Sequence, residues 1–184
     1  MERTFVWEPA DILPGKDRAL RRMGITDPGE VHNRTEETLD HANRFFCQLA
    51  RPVVKIRDIS LKEFAIVYRG EGLNADDTPV CDVVARADFL ALFAVTLGDI
   101  VSATITDFFD CNEPHLGFVL DAVCSEAAET TADRLEAIFL ETVRRNIHKV
   151  PKEISGPVMS RRYSPGYCGW HLSAQVKLLD FLKA

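Results

Sequence analysis

The sequence has no excess of positive charge. Among 184 residues, 22 lysines and arginines stand against 28 aspartates and glutamates, a formal net charge of −6. With no basic face to offset that balance, a nucleic-acid partner is disfavoured; only the adjacent Arg161 and Arg162 leave room for a local basic patch. Long apolar runs are also missing. None approaches the ~18 residues of a membrane-spanning helix, and the opening MERTFVWEPADILP lacks the basic-then-apolar pattern of a secretory leader. The expectation is a cytoplasmic chain with no membrane partner. Cysteine is sparse and odd in number: Cys47, Cys81, Cys111, Cys124 and Cys168, with no Cys-x-x-Cys spacing. Reduced thiols are expected rather than a disulfide framework. Repeats and low-complexity tracts are absent, and no catalytic triad or acid–base dyad stands out.

What is present is an ordinary globular composition, 46% hydrophobic and 27% charged. A chain of this length can bury a core without staples. Residues 1–15, punctuated by Pro9 and Pro14, read as extended. Lys16–Ile25 predicts a short helix closed by Gly24. After the turn residues Asp27, Pro28 and Gly29, the loosely helical spacing of Val31, Leu39, Ala42, Phe46 and Leu49 predicts a helix stopped by Pro52. The pattern then changes. PVVKIRDISL is β-branched. EFAIVYRGEG alternates Phe64, Ile66 and Tyr68 against Ala65 and Val67 and predicts a strand closed by Gly70 and Gly72. VCDVVARA is open between strand and helix. FLALFAVTLG is a continuous apolar run that suits a central strand buried on both faces. DIVSATITDFF predicts a helix. A long helix follows, with an apolar stripe of Leu116, Leu120, Val123, Ala127, Leu135, Ile138 and Val143. Arg144, Arg145, His148 and Lys149 suit its negative pole, and Pro151 stops it. LSAQVKLLDFLKA predicts a last amphipathic helix. The class is α+β, a mostly antiparallel central sheet flanked by helices. Residues 1–50 form an extended and helical N-terminal segment packed on a core of residues 51–184, within a single domain.

Recognition chemistry concentrates in SRRYSPGYCGWHLS, Ser160 to Ser173. Ser164-Pro165-Gly166-Tyr167 predicts a type II turn, proline presetting φ at its second position and glycine supplying positive φ at its third. Arg162 offers a guanidinium fork for a carboxylate, and Tyr167 a ring face for a cation or a heterocycle. A ligand with a carboxylate, a positive centre and a flat ring matches that set, as S-adenosylmethionine does. The plain alternative is a surface Pro-Gly turn beside a solvated arginine. Cys168 and His171 could begin a metal site, but no second Cys/His pair stands at a recognised spacing; a local hydrogen bond of His171 with Ser173 accounts better for the histidine. Trp170 reads as an aromatic packed between the turn and the last helix, or else as part of a face that meets a corrin ring. Glu129, Asp133 and Glu136 share one helical side, as a solvated face or as partners of a cofactor's sulfonium or amino group. His115 reads as a helix N-terminal turn residue.

RYSPGY resembles the arginine-x-x-proline-glycine-tyrosine motif of the activation domain of cobalamin-dependent methionine synthase. ADRLEAIFLETVRR resembles the helix that precedes the motif in that domain. FAVTLG followed by VLDAVCSEAAE resembles small stand-alone members of the same superfamily, and the resemblance runs from about Asp11 onward. It implies the fold of that domain and an S-adenosylmethionine site in which Arg162 binds the carboxylate side of the cofactor. Ser164, Pro165, Gly166 and Tyr167 would form the turn along it. Glu136 lies one position from the family's cofactor-touching glutamate, whose aligned place is taken by Ala137. Trp7 and Glu8 correspond loosely to an early acidic contact. CGWHLS replaces the family's Cys-Pro sequence. The family's further strand after the last helix, with its aromatic contact, has no counterpart before Ala184, so the expected site is incomplete, completed by a partner, or lost. The implied function is reactivation: an electron from a flavoprotein or iron–sulfur partner and a methyl group from S-adenosylmethionine restore an oxidised corrinoid, cob(II)alamin, carried by a cobalamin-dependent methyltransferase or corrinoid protein. Such a protein positions its reactants and need supply no acid or base. Two alternatives stand beside it: a non-catalytic module that docks or chaperones a corrinoid protein, and a role within a methionine synthase built from separate subunits.

Overall fold

The computed structural model describes residues 2–27, 31–146 and 159–184. It is an α+β protein with three strands and eight helices among the described residues. In chain order these are β1 (Glu2–Val6), α1 (Pro9–Ile12), α2 (Lys16–Arg22), α3 (Asn33–Leu49), β2 (Val53–Asp58), α4 (Leu61–Arg69) and α5 (Pro79–Ala85). Then come β3 (Ala91–Thr96), α6 (Asp99–Asp110), α7 (Pro114–Asn146) and α8 (Ala174–Leu182). Pro28, Gly29, His148, Lys149 and Pro151, used above as boundary signals, lie outside the described residues.

The strands form one sheet in the order β1-β2-β3. Flanking hydrogen bonds show the antiparallel sense. Trp7 N–H donates to Pro52 C=O, so the end of β1 meets the start of β2. Arg51 N–H donates to Leu97 C=O and Ile59 N–H to Leu90 C=O, so β2 and β3 also run in opposite directions. The central strand is therefore β2. Its alternation buries Val54 and Ile56 and leaves Val53, Lys55 and Arg57 half-buried. The apolar run expected to be the central strand is β3, at an edge, and only Leu92 in it is buried. Pairing, not hydrophobicity, set its place.

A second expectation is overturned at EFAIVYRGEG, which is helix α4 and not a strand. Ser60 opens it with a full capping box. The Ser60 hydroxyl accepts from Glu63 N–H, and the Glu63 carboxylate accepts from Ser60 N–H at 2.9 Å. Phe64, Val67 and Tyr68 then fall at i, i+3 and i+4. Phe64 and Val67 are buried, while Ile66, which alternation would pair with Phe64, is exposed. VCDVVARA is also helical: Thr78 caps α5 and Pro79 takes its first position. The N-terminal segment expected to be extended over residues 1–15 is so only in the edge strand β1; Pro9, expected to punctuate it, instead opens the short helix α1. In α7 the expected stripe is continuous because Thr131, wholly buried between Ala127 and Leu135, satisfies its hydroxyl on Ala127 C=O at 2.7 Å.

The chain divides into two compact units. One comprises Met1–Thr4, Lys55–Ala94 and Glu136–Ala184, the other Phe5–Val54 and Val95–Leu135. The unit boundaries fall inside the three strands and inside α7. The first unit packs α4, α5 and α8 around Phe64, Val67, Val80, Trp170, Leu178 and Leu182. The second packs α1 to α3, α6 and the first part of α7 around Ile12, Leu20, Phe46, Val101 and Leu120.

Candidate functional site

The Pro-Gly turn lies in the first unit, on a loop held between two aromatic anchors. Tyr163 packs half-buried against that unit's core, and Trp170 lies within it, 2% exposed. The Trp170 ring meets Phe64 edge-on and Tyr68 tilted, each at 5.7 Å between centroids. Its place is thus the packed one between turn and last helix. Burial pushes the Tyr68 phenol above its ordinary value.

Between the anchors run two consecutive turns. Tyr167 N–H donates to Ser164 C=O at 3.1 Å and Gly166 has φ of 99°, the type II geometry expected of Ser-Pro-Gly-Tyr. Trp170 N–H then donates to Tyr167 C=O at 3.0 Å, with Cys168 and Gly169 at φ of 52° and 75°. Two successive positive φ values make this a type I′ turn, which the sequence reading did not foresee. Gly166 N–H to Trp170 C=O at 2.7 Å ties the two turns together.

The connection from α4 to α5 clamps this double turn. Asn74 is central. Its Nδ2 donates to Tyr68 C=O at 2.7 Å, and its Oδ1 accepts from His171 N–H at 2.8 Å. Ala75 N–H donates to Gly169 C=O at 2.9 Å, and the Thr78 hydroxyl donates to Cys168 C=O at 2.7 Å. The approach is close enough that a Cβ on Gly169 would lie 3.0 Å from Ala75 Cβ and 3.1 Å from Thr78 Cβ. Sequence reasoning missed Asn74 and Thr78. The available signal was the polar turn composition of LNADDTP between two apolar segments.

Two of the predicted site residues meet directly. Arg162 Nε lies 3.4 Å from Glu136 Oε2, with the side chains 29% and 27% exposed. Glu136 Oε1 accepts a hydrogen bond from the Ser160 hydroxyl. Arg162, on the segment that enters the turn, and Glu136, on α7, thus form a preformed pair of opposite charges. Tyr167 is 71% exposed at the turn's corner, and Pro165 is half-buried. Ala137, in the place where the resemblance aligns a glutamate, is exposed.

Other candidates separate. Asp133 bonds Arg18 at 3.1 Å and Glu126 bonds the same guanidinium at 3.1 Å, joining α2 to α7 within the second unit. Trp7 and Glu8 also belong to that unit; Trp7 packs partly buried on its core and Glu8 is exposed at the start of α1. On the acidic side of α7, Asp133 and Glu136 thus pair with different arginines. His171 Nδ1 lies 3.0 Å from the Ser173 hydroxyl and accepts from Ser173 N–H at 3.2 Å, a local arrangement before α8. Among the described residues no group of three or more His, Cys, Asp or Glu side chains is placed to hold a metal ion. No described helix is long and apolar enough to cross a membrane. A surface cavity of about 230 Å³, lined by Asp17, Leu20, Arg21, Ile25 and Thr26, lies in the second unit and contains none of the predicted site residues. No protein-family model and no curated protein matches this chain.

Proposed function

We propose that the protein is a reactivation module that binds S-adenosylmethionine and supports reductive methylation of an oxidised corrinoid held by a partner methyltransferase or corrinoid protein. The observation that carries the reading is the Arg162–Glu136 pair beside a type II Pro165-Gly166 turn with Tyr167 exposed at its corner. These residues suit the methionyl end of the cofactor: the Arg162 fork grips the carboxylate, Glu136 takes the ammonium, and Tyr167 lays a ring face against a cationic or aromatic group. S-adenosylmethionine supplies the methyl group when bound, and a flavoprotein or iron–sulfur donor supplies the electron. The protein's task is positioning: Trp170 and Asn74 hold the double turn that carries Tyr167. The corrinoid belongs to the partner.

A second reading, a corrinoid-protein docking module without cofactor binding, is favoured by the apolar exposure near the turn. Tyr167, Leu172 and Val176 are 71%, 58% and 64% exposed, and Leu172 lies against Gly166.

Calorimetric titration with S-adenosylmethionine separates the two. The first reading expects micromolar binding by the wild type and at least tenfold weaker binding by Arg162→Ala, the loss of about 1.5–3 kcal/mol for hydrogen bonds to a charged group. A folded wild type that gives no heat of binding removes the first reading and leaves the second.

A further inference from the structure

Arg162 is engaged by a carboxylate of the chain itself. The contact is made through Nε, on the edge of the guanidinium that can present two parallel N–H groups to a carboxylate. Glu136 is aimed at that edge by Ser160, whose hydroxyl donates to the other carboxylate oxygen. Ser160 and Arg162 are separated by one residue, so the same short segment carries the arginine and the hydroxyl that orients its partner. All three side chains lie in one compact unit, and the Arg162 and Glu136 side chains are 29% and 27% exposed.

We propose that Glu136 and Ser160 form an internal latch on Arg162, which a ligand carboxylate must open by displacing Glu136. The proposal rests on reading Arg162 as the carboxylate-binding residue. The latch raises the ligand concentration needed for occupancy and discriminates by charge. A ligand that brings only a carboxylate displaces Glu136 with no compensation. One that brings a carboxylate and an ammonium gives both Arg162 and Glu136 a new partner. A zwitterionic amino-acid head is thereby favoured over a simple carboxylate.

Ser160→Ala removes the aim of the latch and keeps the Glu136 charge; Glu136→Gln keeps the shape and removes the charge. Two readouts are taken on the full chain. In the first, the rate at which phenylglyoxal modifies Arg162 is followed by peptide mass spectrometry, with the exposed Arg161 as internal reference. In the second, the wild type and Ser160→Ala are titrated with S-adenosylmethionine. The latch expects Arg162 to react severalfold faster in both variants. It expects Ser160→Ala to bind about fivefold more tightly, the equivalent of a partly screened ion pair of about 1 kcal/mol. Unchanged Arg162 reactivity in both variants overturns the latch, even if the wild type binds S-adenosylmethionine. Faster modification in both variants with no S-adenosylmethionine binding by either protein supports the latch and overturns the cofactor reading alone.

Discussion

Alanine at position 169 meets two obstacles at once. Gly169 has φ of 75°, in the left-handed region, where a residue with a Cβ costs roughly 1–2 kcal/mol. The stiffer unfolded chain returns about 0.4–1 kcal/mol of that. The new methyl would also sit 3.0 Å from Ala75 Cβ and 3.1 Å from Thr78 Cβ, so those residues must give way. Overpacking of this kind costs about 1–3 kcal/mol. It would also strain the bonds from Ala75 N–H to Gly169 C=O and from Thr78 Oγ1 to Cys168 C=O. The net expectation for Gly169→Ala is about 3 kcal/mol of lost stability. Gly166→Ala is the control. Its φ is 99°, but the nearest atom to an added Cβ is Leu172 Cδ1 at 3.5 Å, an ordinary contact. Only the conformational cost applies there, about 1 kcal/mol net. Urea unfolding of both variants reads the difference as a separation of midpoints at equal slope. Equal losses in the two variants would refute the claim that the segment around Ala75 and Thr78 clamps the turn.

Two further outcomes follow from groups away from the turn. Burial in α7, reinforced by Asp121, pushes the Cys124 thiol from an ordinary 9.0 up to about 12. Its folded value is raised, so its contribution is complete below the ordinary thiol range and is lost as pH rises from there toward the folded value. The wild type should lose stability with a slope of up to about 1.4 kcal/mol per pH unit above that of Cys124→Ala. Urea unfolding across that alkaline range checks it, and parallel slopes would refute it. Ser60→Ala removes the hydroxyl that opens α4 and should cost about 1 kcal/mol in the same assay. A neutral result would mean that the cap contributes nothing to α4.

Where a local rule was sufficient, the sequence was legible. The 3.6-residue stripe of α7 placed Leu116, Leu120 and Val123 in the core, and Pro165-Gly166 specified a type II turn whatever surrounds it. The misreading of α4 came from weighing alternation over Phe64–Tyr68 above the capping signal Ser60-x-x-Glu63 immediately before it. In so short an apolar run, alternation and helical spacing are both satisfied by Phe64 and Tyr68, and the cap was the better discriminator.

The sequence by itself determined that this is an α+β chain and that it carries a rigid Pro-Gly turn with an arginine before it and a tyrosine at its corner. Those features depend on φ preferences and side-chain periodicity, which act over a few residues. Tertiary structure alone decided that β2 and not β3 is the central strand, since strand order depends on pairing between distant segments. It alone decided that Asn74 and Thr78 clamp the turn, and that Asp133 answers Arg18 while Glu136 answers Arg162. Asp133 and Glu136 share a helix and nearly the same chemistry. Their partners differ because each faces whichever cation the fold brings within hydrogen-bonding reach, and no local propensity encodes that meeting.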